Sequence, residues 1–105
     1  MSNQEIINKI SLAILLKDPN AQAFLFGSRA RNTNRTNSDW DILILVDSPI
    51  VSNEIDDQFR DVLYDIELES GQIISTLIYP KEIWNNYMKG SPLFHTIQKE
   101  GILLA

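Results

Sequence analysis

Two aspartates separated by one tryptophan, Asp39-Trp40-Asp41, follow a Gly-Ser turn that carries two arginines, Gly27-Ser28-Arg29-Ala30-Arg31. On a β-strand, residues two apart project to the same face, so these carboxylates would repel each other unless a cation lay between or above them. Magnesium suits such a pair, because it takes one or two carboxylates and completes its shell with waters and phosphate oxygens. Gly27 ends an apolar run and can adopt the tight backbone angles that let a phosphate approach closely. Ser28 is placed to cap a short helix beginning near Arg29, whose free amides make an anion site. Arg29 and Arg31 can add charge-assisted hydrogen bonds to phosphate oxygens. Turn and carboxylate pair are complementary halves of a nucleotide site.

The elements that must hold these residues are legible in the apolar pattern. Ile6, Ile7, Ile10, Leu12, Ala13, Leu15 and Leu16 recur near helical spacing from Gln4 to Leu16, and Asp18-Pro19-Asn20 stops them. Ala21 to Phe26 reads as a buried strand entering the turn at Gly27. Trp40 to Val46 is apolar on both alternating faces, as a central strand covered on both sides would be. Ile55, Phe59, Val62, Leu63 and Ile66 trace a second helix that ends before Gly71, and the β-branched stretch Gln72 to Tyr79 predicts a third strand. Pro80-Lys81-Glu82 opens a helix through about Met88, and Ser91-Pro92 caps a last one that Gly101 terminates. The fold class expected is α/β (α+β), a small mixed sheet of three to four strands flanked by helices.

Composition narrows the partners. The chain has 105 residues, which predicts a single domain over 1–105 with room for one core but little surface to enclose a second substrate. Its net charge of -5 disfavours duplex nucleic acid, which is bound by clustered Lys and Arg. No cysteine is present, so thiolate nucleophiles, disulfides and Cys-rich zinc sites are excluded. No apolar stretch is long enough to span a bilayer and the start does not read as a secretory signal, so a cytoplasmic location is expected.

The string Gly27-Ser28-Arg29-Ala30-Arg31, six residues, then Ser38-Asp39-Trp40-Asp41 resembles the signature of the minimal nucleotidyltransferases of the polymerase-beta-like superfamily, with the family spacing matched. The resemblance implies that fold and the transfer of a nucleoside monophosphate, AMP from ATP above all, to an acceptor hydroxyl with release of pyrophosphate. It implies nucleotide binding by Gly27, Ser28, Arg29, Arg31 and Ser38, and a catalytic role for Asp39 and Asp41 as ligands of two magnesium ions. Family members of this size resemble the antitoxin half of a toxin-antitoxin pair whose partner is an all-helical HEPN-domain protein, modified on a tyrosine. Homo-oligomerisation stays open.

One position departs from the family pattern. The third carboxylate, expected on the later strand Ile73-Ile74-Ser75-Thr76-Leu77, aligns with Ser75, a poor metal ligand and no general base near neutral pH. Asp65, Glu67 and Glu69 on the preceding helix are the nearest substitutes. Two alternatives follow: a weak or inactive nucleotide-binding module that neutralises a helical partner by contact through the Trp84 to Phe94 region, and a nucleotidyltransferase acting on small molecules such as aminoglycosides. Arg35 reads as a solvated loop residue, Glu54, Asp56, Asp57 and Asp61 as a solvated helix face, and the lone His95 carries no assigned role.

Overall fold

A computed structural model describes residues 1–105. In chain order the elements are α1 (Asn3–Lys17), β1 (Gln22–Phe26), β2 (Trp40–Val46), α2 (Asn53–Ser70), β3 (Ile74–Pro80), α3 (Lys81–Asn86), α4 (Pro92–Glu100) and β4 (Ile102–Leu103). The strands form one mixed sheet in the order β3-β2-β1-β4. β1 pairs antiparallel with β2 and with β4, whereas β2 and β3 run parallel because α2 supplies the crossover between them. The chain is thus mixed α/β, with four strands and four helices.

Local chemistry starts and stops these elements. Ser2 and Glu5 form a reciprocal capping box on α1, Ser52 caps α2, and Ser91 accepts the Phe94 N–H ahead of Pro92 in α4. Gly71 ends α2 in the left-handed conformation at φ 71°. Pro80 closes β3 and stands as the N-cap of α3, and α3 stops at Asn86, before Met88.

The sheet buries both faces, but unequally. Trp40, Ile42, Ile44 and Val46 of β2 pack with Ile6, Ile10 and Ile14 of α1 and with Phe59, Leu63 and Ile66 of α2. The buried stripe of α1 is Ile6, Ile10 and Ile14, while Leu12, Leu15 and Leu16, expected on that stripe, are exposed. On the other face Leu43 and Leu45 meet Trp84 of α3 and Ile97 of α4. These two short helices cover only the far half of that face, so its near end, at Asp41 and Ser75, stays open.

Candidate functional site

The carboxylate pair sits at the entrance of β2. Trp40 turns into the core, Asp39 is exposed and Asp41 is half-buried on the open face. Burial and then the nearby Asp39 charge raise the Asp41 carboxyl above its ordinary value, and Arg31 pulls it partly back.

Gly27 builds the wall beside Asp41. Its φ is +76°, a conformation that costs a side-chain-bearing residue. A Cβ placed there would overlap the Asp41 carboxylate oxygen Oδ2 and lie 3.1 Å from its Cγ. The glycine is required twice over, by its backbone angle and by the carboxylate it touches.

After Gly27 the chain makes one helical turn and stops. The Arg31 N–H donates to the Gly27 carbonyl at 3.1 Å and the Thr33 N–H to the Ser28 carbonyl at 2.9 Å, before Asn32 with its φ of 59° breaks the path. The helix expected after Ser28 is this single turn. The backbone N–H groups of Ser28, Arg29 and Ala30 donate to no acceptor in the chain. Such unpartnered amides at the start of a turn are donors ready for an anion.

The two arginines of the turn diverge. Arg29, expected to touch phosphate, is buried instead: Nε and Nη2 donate to the Ser38 carbonyl at 3.0 and 2.8 Å, and Nη2 also reaches the Thr36 carbonyl and Gln72 Oε1. Its guanidinium stacks 4.2 Å from the centre of the Trp40 ring. Burial lowers its pKa from the usual value, and the Asp39 charge opposes that shift. The Trp40 indole N–H donates to the same Gln72 oxygen, so Gln72 ties turn, loop and strand together. Ser38 Oγ also braces the loop, accepting the Arg35 N–H at 2.9 Å. Arg31 stays half-exposed and pairs with Glu100 at 3.0 Å. Gln72 and Glu100 lie far away in sequence with no motif to mark them, and only the fold brings them here.

Ser75 stands directly opposite Asp41 in the parallel register, where the third carboxylate was expected. The three acids considered as substitutes do not reach it. α2 packs on the other face of the sheet, where Glu67 accepts the Ile74 N–H at 2.9 Å and Glu69 pairs with Lys9 at 2.9 Å; Asp65 lies exposed on the same helix. No three His, Cys, Asp or Glu side chains gather into one cluster. The exposed row beside the carboxylates is Ile73, just before β3, then Ser75 and Leu77 on it, with Ile73 60% and Leu77 38% exposed. Trp84, weighed as part of a contact surface, is core, while Tyr87 next to it is exposed.

A loop that offers free amides, set against paired carboxylates on a mixed sheet, is the architecture of a nucleotide-handling transferase. The nucleotidyltransferase domain model matches residues 7–98, and the chain belongs to that family. Membership makes it a transferase. No curated protein matches the chain. Among solved structures, one described as a toxin-antitoxin with AMP-PNP superposes with a TM-score of 0.65 at 19% identity, over 94% of this chain and 72% of that one. The likeness shows a shared fold.

Proposed function

We propose that the chain is a magnesium-dependent nucleotidyltransferase, folded as one domain, that moves AMP from ATP to a hydroxyl on a partner protein. The observation that carries this reading is the juxtaposition at Gly27. Free amides of Ser28, Arg29 and Ala30 stand on one side of it and the Asp41 carboxylate touches the other. The amides, with Arg31, take the phosphate tail; Asp39 and Asp41 hold the cation. Two hard oxygen ligands fit magnesium, which prefers one or two carboxylates with substrate phosphates and water. When bound, the metal supplies charge stabilisation for an in-line displacement.

The reaction balances simply. The acceptor oxygen bonds to the α-phosphorus, the bond to the α,β-bridging oxygen breaks, pyrophosphate leaves, and the hydroxyl proton passes to solvent. In-line geometry places the leaving group and the acceptor on opposite sides of the phosphorus. The turn lies on the β1 side of Asp41, so the acceptor approaches over the β3 edge. There it meets Ile73 and Leu77 on either side of Ser75, a border with no carboxylate of its own for a polycationic sugar. That border favours a protein acceptor over an aminoglycoside.

The Arg29 guanidinium and Ser38 Oγ serve the site by shaping the loop, while the Arg29 N–H stays free for phosphate. The toxin-antitoxin described with AMP-PNP, together with the family resemblance, supports an antitoxin role with an all-helical HEPN-domain partner. Ser75 favours a second reading, a nucleotide-binding module that neutralises its partner by contact. Incubation with magnesium and α-phosphate-labelled ATP, with and without the product of a neighbouring gene, separates the two. Labelling of the partner that is lost in Asp39→Asn, with the variant still folded, is expected; equal labelling by both proteins would remove the catalytic assignment.

A further inference from the structure

We infer that Glu100 is a positioning residue that holds Arg31 toward the phosphate-binding turn, an inference that rests on the nucleotide site proposed above. Arg31 Nη1 donates to Glu100 Oε1 at 3.0 Å, and no other side-chain hydrogen bond engages this guanidinium. A free arginine side chain samples many rotamers and loses that freedom when it grips a phosphate. A carboxylate that fixes it beforehand removes part of that loss from the binding step.

Three features show that Glu100 is built into its place. First, it lies in the last turn of α4, where the helix dipole disfavours a negative charge. Its neighbour Lys99 suits that end, whereas Glu100 needs the cation from the turn to offset the conflict. Second, its side chain is only 22% exposed, against 47% for Arg31, so the acid is the fixed partner and the arginine the mobile one. Third, the chain passes from α4 into β4 through Gly101, where a Cβ would press on the Ile97 carbonyl oxygen at 2.5 Å. β4 then pairs with β1, Leu25 opposite Ile102 and Phe24 opposite Leu103. Glu100, the last residue of α4, stands two residues before that pairing begins. β4 thus anchors the end of α4 beside β1, the strand that runs into Gly27, and there Glu100 meets Arg31.

The test is a double-mutant cycle on the affinity for magnesium-ATP, measured by calorimetry on the full chain, with Tm recorded for every variant. Glu100→Gln keeps the shape and removes the charge, and is expected to weaken ATP binding about fivefold. Arg31→Gln is expected to weaken it about tenfold, and the double variant no further, because one interaction is lost in both. ATP binding by Glu100→Gln equal to or tighter than that of the parent chain would overturn the inference, the first outcome marking a merely structural latch and the second a competitor for Arg31. Additive losses would overturn it as well. Failure of the parent chain itself to bind ATP would instead bring down the nucleotide site, and this inference with it.

Discussion

Gly27→Ala tests the proposed architecture most directly, because the cost of the substitution can be divided into a backbone part and a site part. At φ +76° an alanine costs about 1 kcal/mol relative to glycine. The new methyl also falls on the Asp41 carboxylate, which must leave its position, at about 1 kcal/mol more for an off-rotamer side chain. The expected loss is about 2 kcal/mol, or about 8–16 °C in Tm for a chain of this size. Gly71→Ala is an internal control, since Gly71 has φ +71° but nothing within 4 Å of its Cβ position. Only the backbone part applies there, about 1 kcal/mol and about 4–8 °C. The assays are thermal unfolding by circular dichroism and calorimetric titration with magnesium and ATP. Gly71→Ala should bind like the parent chain, and Gly27→Ala should lose binding at temperatures where it is fully folded. Equal destabilisation of the two variants, with nucleotide binding retained in both, would refute the claim that Gly27 is there for Asp41.

Three further outcomes are expected. Asp41→Asn should raise Tm at pH 7. The carboxyl's folded pKa lies above its unfolded value, so ionisation costs stability as pH rises through the folded pKa. The gain should vanish below the unfolded pKa, about 3.9, where both states are protonated, and a pH-independent gain would contradict this account. Ser75→Asp puts a third carboxylate about 5 Å from the Asp41 strand position; Tm should fall in chelator and recover with magnesium, and labelling should rise if the missing acid limits turnover. Arg29→Lys should cost about 2–3 kcal/mol by urea unfolding, because an ammonium cannot reproduce the forked bonds to Ser38, Thr36 and Gln72 or the stacking on Trp40. A loss under about 0.5 kcal/mol, typical of surface changes, would show that the network is dispensable.

The amino-acid order alone sufficed for much of the fold, and for a physical reason. Periodicity and capping chemistry act over a few residues, so the span of β2, the Ser91-Pro92 start of α4 and the Gly71 stop of α2 could be read locally. The motif from Gly27 to Asp41 was legible because both halves of the candidate site lie within fifteen consecutive residues. What depended on tertiary structure was which face each group serves. Arg29 and Arg31 are two residues apart in one turn, yet burial under Trp40 and Gln72 makes the first a strut, while Glu100 from the far end of the chain claims the second. Glu67 and Glu69 are near Ser75 in sequence and on the wrong side of the sheet in space, because α2 must bury Phe59, Leu63 and Ile66 against Trp40 and Ile42. Strand register and helix packing are long-range properties, set by how complementary surfaces meet, and no local pattern encodes them.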